Sequence, residues 1–271
     1  MRRLPLLLLA FALPAVPAGA AEPAGNWPQW RGPLACGFVP DGDPPLKWDE
    51  KTNVRWKAPL PGRGSSTPAV WGDRVFVLAA EDTGRQARAE DIPKPDPRFD
   101  KRPVPPTTYH RFYVLCFDRN TGKELWRRLA REAVPHEGHH ESHSYAAYSP
   151  VTDGERLYAH FGSHGTYCYS LDGKLLWERD LGRMETRLGW GEGGSPALHG
   201  DTLVITFDHE GDSFLTALDA KTGEPRWKKD RDEPSCWATP LIVTHGGTTQ
   251  VVVNGTGKAR GYDLATGEVL W

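Results

Sequence analysis

Residues 262–271 read YDLATGEVLW, a Thr-Gly turn signal followed by a tryptophan. The phrase recurs upstream. LCFDRNTGKELW ends at Trp126, YCYSLDGKLLW at Trp177, TALDAKTGEPRW at Trp227 and RGYDLATGEVLW at Trp271. The tryptophans stand 51, 50 and 44 residues apart. Ahead of each lies a second signal: STPAVWGDRVFVLAA (66–80), YSPVTDGERLYAHFG (148–162), GSPALHGDTLVITFD (194–208) and ATPLIVTHGGTTQVVVNG (238–255). Each is Ser/Thr-Pro, a short apolar strand, a glycine turn and an alternating strand. A repeat of this length built from four short strands is the sequence signature of propeller blades. In the third copy the spacing predicts strands over 195–199, 202–208, 213–219 and 224–228. Proline heads the first strand of each blade, where its missing N–H removes no ladder bond.

The rest of the chain agrees with an all-β reading. The 271 residues include 29 glycines and 24 prolines, about a fifth of the total, and these punctuate short apolar runs such as DRVFVLAA (73–80). A net charge of -2, from 33 basic and 35 acidic residues, gives no electrostatic reason to expect nucleic acid or an anionic membrane as partner. Residues 1–20 read as a signal peptide: MRR is a basic start, LPLLLLAFALPAV an apolar stretch too short to span a bilayer, and AGA a small-residue cleavage site that places the cut after Ala20. No cysteine follows that site, so no lipoprotein anchor is expected. The mature protein is predicted to be exported, periplasmic or extracellular, without a membrane span.

Ten residues before Trp126, Trp227 and Trp271 stand Cys116, Ala217 and Gly261, and nine before Trp177 stands Cys168. A small side chain there leaves room for an indole to dock between blades. This small-x-Asp-x-x-Thr-Gly-x-x-x-Trp pattern resembles the tryptophan-docking motif of the quinoprotein (PQQ-type) β-propellers. That superfamily includes quinone-dependent alcohol dehydrogenases and BamB-like accessory proteins of outer-membrane barrel assembly. The strings NWPQWRGP (26–33), TPAVWGDRVF (67–76), VTDGERLYAHFGS (151–163) and SCWATP (235–240) are similar to those of exported bacterial PQQ-binding-like propellers. The resemblance covers nearly all of 26–271. It implies an eight-bladed ring, of which about four blades are expected here: a closing strand at 53–60 carrying Trp56, blade 1 at 64–126, blade 2 at 142–177, blade 3 at 190–227 and blade 4 at 236–271. The lead, 21–52, is irregular and rich in Pro and Gly, and its Trp27, Trp30 and Trp48 are expected to pack against blades. The charged, Pro-rich insertion at 81–110 reads as a long surface loop of blade 1, or as an arm over one face of the ring.

Several residue sets bear on chemistry. VPHEGHHESHSY (134–145) places His136, His139, His140 and His143 within eight residues, beside Glu137 and Glu141, and FDHEGD (207–212) adds Asp208, His209, Glu210 and Asp212. Imidazole and carboxylate are metal donors. The spacing matches no zinc motif, and the favoured reading is a polar inter-blade loop whose imidazoles bond to backbone. Cys116 and Cys168 fill equivalent packing slots in neighbouring blades, too far apart for a bridge, which leaves Cys36 and Cys236 as a candidate disulfide. The resemblance also brings the quinone dehydrogenases to mind, which clamp PQQ between a tryptophan and a disulfide of adjacent cysteines, with calcium held by Glu and Asn. No Cys-Cys pair occurs. Trp190 and Trp237 can stack on a flat ring, although packing between blades is the favoured reading. The sequence therefore predicts a non-catalytic scaffold that binds a protein or an extracytoplasmic ligand on the propeller face, with no cofactor. A PQQ-dependent oxidoreductase with calcium and a metal site on the His-rich loop are the alternatives.

Overall fold

The computed structural model describes residues 25–39, 42–94, 97–99 and 105–271. The signal segment and its cleavage site lie outside the described residues. Four antiparallel sheets follow one another along the chain, each with its strands in sequence order. Blade 1 comprises β1 (Ala69–Trp71), β2 (Arg74–Gln86), β3 (Thr108–Asp118) and β4 (Glu124–Ala133); blade 2 comprises β5 (Val151–Thr152), β6 (Arg156–His160), β7 (Thr166–Ser170) and β8 (Leu175–Arg179). Blade 3 comprises β9 (Ala197–His199), β10 (Thr202–Phe207), β11 (Phe214–Asp219) and β12 (Pro225–Asp230), and blade 4 comprises β13 (Leu241–His245), β14 (Thr248–Asn254) and β15 (Ala259–Asp263). The first strands are neighbours in space, β1 with β5, β5 with β9 and β9 with β13, so they line the axis and the tryptophan-bearing strands lie outermost. The only helical elements among the described residues are short 3-10 turns.

The two-residue period of the strands sends alternate side chains to opposite neighbours. In β10, Leu203, Ile205 and Phe207 join a core shared with Tyr158 and Trp177 of blade 2, while Val204 joins one shared with Val251, Val253 and Tyr262 of blade 4. Phe76 and Phe112 of blade 1 meet Leu157 and Tyr169 of blade 2 in the same way. Each core therefore belongs to a pair of blades and holds them together by apolar burial.

The repeated tryptophan closes each of these seams. Within its own blade it faces the small residue across the outer strand pair: Cys116 opposite Trp126, Cys168 opposite Trp177, Ala217 opposite Trp227. Gly261 faces Trp271 through the bonds Gly261 N–H to Trp271 O and Leu270 N–H to Gly261 O. The indole then reaches the next blade. The ring N–H of Trp126 donates to Leu171 O at 2.9 Å, Trp177 to Ala220 O at 3.0 Å and Trp227 to Leu264 O at 2.9 Å. Each indole lies over the turn glycine of that blade: Gly173 of the Asp-Gly turn in blade 2, and Gly223 and Gly267 of the Thr-Gly turns. Their φ values of 81°, 72° and 72° suit a residue without a Cβ.

Three expectations about extent are modified. Residues 53–60, read as a closing strand, form no strand; Pro59 and Pro61 remove the donors a ladder needs. Trp56 nevertheless sits on blade 1 as the other tryptophans sit on theirs, donating to Arg119 O at 2.8 Å and lying over Gly122. In blade 4 the segment ending at Trp271 is joined to β15 by the Tyr262–Val269 bridge and the Gly261 bonds rather than by a full strand. In the insertion, β2 and β3 extend to Gln86 and Thr108, so its base is a long hairpin. The lead runs along the axis: Trp27 bridges Val70 of β1, and Pro28 O accepts from Thr152 N–H of β5. Trp48 of the lead, expected to pack against blades, is 70% exposed. No helix among the described residues is long and apolar enough to cross a membrane.

Candidate functional site

In an antiparallel blade the connections alternate between the two ends of the sheet. The tight Thr-Gly turns lie on one face of the propeller. The loops between blades, and those joining the second strand to the third, lie on the other. The His-rich loop, the insertion and the FDHEGD segment all belong to this second face, as do the residues that lead into each axial strand.

Those lead-in residues are the Ser/Thr-Pro signals, and they form a chain of contacts around the axis. Thr67 N–H donates to Ser149 Oγ at 3.0 Å, Ser149 N–H to Ser195 Oγ at 2.9 Å, and Ser195 N–H to Thr239 Oγ1 at 2.9 Å. Each hydroxyl thus satisfies a backbone donor of the preceding blade. Ser65 N–H likewise donates to Ser144 Oγ at 3.0 Å. Above this ring opens a cleft of about 650 Å³. Trp30, Trp190 and Trp237 line it while 37%, 44% and 39% exposed. The rings of Trp190 and Trp237 lie 6.2 Å apart at 30°, and Trp237 Nε1–H donates to Gly191 O at 2.7 Å. These two indoles, expected to pack between blades, instead bridge the seam and present a face to the cleft. His140 and His143 supply its imidazoles, and the remaining lining is hydroxyl, alanine and glycine.

PQQ is a tricarboxylate and its calcium needs several oxygen ligands. The cleft is lined by no Lys or Arg to meet those carboxylates and no Asp or Glu to hold the ion. The lining of this cleft does not fit that cofactor. Cys36 and Cys236, read as a candidate disulfide, are unbridged: the Cys36 thiol faces Phe38 O and the Cys236 thiol Asn254 O.

The four histidines of the loop do not converge. His139 Nδ1–H donates to His140 O at 2.7 Å, His140 Nδ1 pairs with Ser142 Oγ at 2.7 Å, and His143 Nε2–H donates to Glu192 O at 2.8 Å. His136 alone turns inward. It is 6% exposed, and its Nε2–H donates to Met184 O at 2.6 Å. There it meets Glu137 and Glu185, with one donor atom of each within 4.8 Å of the others. Glu137 accepts from Thr186 through both oxygens, Oγ1–H at 2.6 Å and N–H at 3.1 Å. Glu185 receives Arg183 Nε at 2.8 Å. Beside them Glu192 accepts from Ser163 N–H at 2.8 Å, and burial pushes its carboxyl up to about 8. A side chain on Gly162 would collide with that carboxyl. Glu185 and Glu192 carry no motif and sit about 50 residues from the histidine run, so only the packing of successive inter-blade loops reveals them. The FDHEGD side chains serve the fold: Asp208 pairs with Arg231, His209 Nδ1 accepts from Glu185 N–H at 3.1 Å, and Glu210 accepts from Ser235 N–H at 3.2 Å.

Burial dominates the titration of this face. It holds His160 down at about 3 and His164 well below the ordinary imidazole value. Between about 3 and 6.5 the unfolded chain therefore binds protons that these rings refuse, so stability falls as pH drops through that window. Thermal melts from pH 7.5 to 4.5 are expected to give a steeper acid limb for the wild type than for His160→Asn. Parallel curves would remove His160 from the account.

The family model described as outer membrane protein assembly factor BamB matches residues 110–271, more than half of the chain. The chain belongs to this BamB family. Among solved structures, BamB from Moraxella catarrhalis superposes with a TM-score of 0.38 at 17% identity, covering 78% of this chain and 76% of its own. The quinohemoprotein alcohol dehydrogenase ADHIIG from Pseudomonas putida HK5 gives 0.48 at 14% identity, covering 80% and 34%. The quinohemoprotein alcohol dehydrogenase from Comamonas testosteroni gives 0.43 at 12%, covering 73% and 36%. The chain thus spans about a third of the length of these two enzymes. No curated protein matches it in sequence.

Proposed function

We propose that this BamB-family propeller is an exported, non-catalytic scaffold that binds a protein or an extracytoplasmic ligand in its axial cleft. The observation that carries the reading is the set of half-exposed indoles, Trp30, Trp190 and Trp237, around a cleft whose polar lining bears no charged side chain other than imidazole. Large rigid aromatic faces concentrate binding energy at interfaces. The hydroxyls beneath them hold blades together and so present a fixed floor.

Crosslinking in cell envelopes of the source organism tests the assignment. The wild type is expected to capture one partner reproducibly, and Trp190→Ala with Trp237→Ala to weaken that capture at least tenfold, the loss of two contacts each of about 1 kcal/mol or more. In parallel, the protein supplied with PQQ, calcium, a dye and simple alcohols is expected to give no turnover. Dye reduction that Trp190→Ala abolishes overturns the non-catalytic reading.

A further inference from the structure

We propose that His136, Glu137 and Glu185 form a zinc site that ties the loop between blades 1 and 2 to the loop between blades 2 and 3. The three side chains come from two separate inter-blade connections, and 4–8% of each is exposed. Their donor atoms already lie within 4.8 Å of one another. Ligands about 2.1 Å from a shared tetrahedral ion stand roughly 3.4 Å apart, so at most a small closure of the arms is needed.

The surrounding bonds have the form of a metal site's outer shell. A ligating histidine commonly donates its other ring N–H to a backbone carbonyl, and ligating carboxylates are themselves hydrogen-bonded. Nε2–H of His136 does the first, to Met184 O at 2.6 Å. In the neutral ring this makes Nδ1 the nitrogen that carries the lone pair. Glu137 does the second, through Thr186.

A separate observation points to an occupant. His136, Glu137, His164 and Glu192 together line a small cavity of about 10 Å³, room for about one water-sized atom. Such a space beside two of the three ligands, His136 and Glu137, suits a water as the fourth donor of a tetrahedral ion. One imidazole with carboxylate oxygens suits zinc, whereas calcium takes six to eight oxygen ligands. The other three histidines of the loop take no part.

The full mature chain, stripped with a chelator and titrated with zinc chloride, tests the site by calorimetry, by elemental analysis after desalting and by thermal melting. One zinc per chain and a raised melting temperature are expected. Glu137→Gln and Glu185→Gln, which keep the side-chain shape, are each expected to weaken zinc binding at least tenfold, with the metal-free near-UV spectrum unchanged. His140→Ala, which removes an exposed imidazole, should bind as the wild type does. Substoichiometric zinc in the wild type overturns the proposal. So does undiminished binding by both glutamine variants, or binding that is lost with His140→Ala, because the ion would then sit on surface histidines. The assay does not depend on what the axial cleft binds.

Discussion

Replacing Gly223 by alanine is expected to destabilise the protein by about 3 kcal/mol, whereas the same change at Gly200 costs about 1 kcal/mol. Both glycines sit in hairpin turns of blade 3 with positive φ, 72° and 56°. An added methyl pays the left-handed penalty of about 1–2 kcal/mol at either position. The surroundings differ. A Cβ on Gly200 meets nothing within 4 Å, while one on Gly223 lands 2.7 Å from the Trp177 ring. To make room the indole must lift off the turn. That strains the bond from its N–H to Ala220 O, worth about 1 kcal/mol, and opens a seam in which Trp177 is only 7% exposed. Overpacking of this kind adds about 1–3 kcal/mol. Denaturant unfolding of both variants measures the difference. Equal losses would mean that the glycine is present for turn geometry alone and that the indole contributes nothing across the seam.

The Gly-Trp pair also marks where the sequence is legible. Repetition exposed the tryptophans, the small residues facing them and the turn glycines, because each blade meets the same packing problem. The strands followed from period-two alternation, and those of blade 3 fell within two residues of their expected bounds. The Ser/Thr-Pro signal was equally visible, but the role of its hydroxyl was not. Thr67 and Ser149 are 82 residues apart, and only the closing of blades around an axis brings one to the other. For the histidine loop the favoured reading is imidazoles bonded to backbone, with four donors to one ion as the alternative. Successive residues of an irregular loop point in different directions, and His136, His139 and His143 each meet a backbone carbonyl. The partners of His136 come instead from the adjacent residue and from the next inter-blade loop.

Asp208→Leu and Arg231→Met are each expected to cost about 3–5 kcal/mol, and the two together to recover most of that loss. Both side chains are fully buried, at 0% exposure. Their contact is bidentate, Arg231 Nε to Asp208 Oδ1 at 2.7 Å and Nη2 to Oδ2 at 2.9 Å, and the remaining Nη1 meets the Tyr262 hydroxyl of blade 4. Burial pushes the Asp208 carboxyl above its ordinary value, against the pull of Arg231. Desolvation is thus the larger of the two effects on this carboxyl, and the pair contributes little net stability over an apolar replacement of similar volume. Removing one member is different, because it strands an uncompensated charge or an unpaired donor set between blades 3 and 4. A double-mutant cycle read by denaturant unfolding separates these cases. A coupling of at least about 2 kcal/mol is expected. If the double variant is as unstable as the sum of the single variants, the charges act independently. Arg231 would then hold blade 4 through Tyr262 alone, and the Asp208 contact would be incidental to the seam.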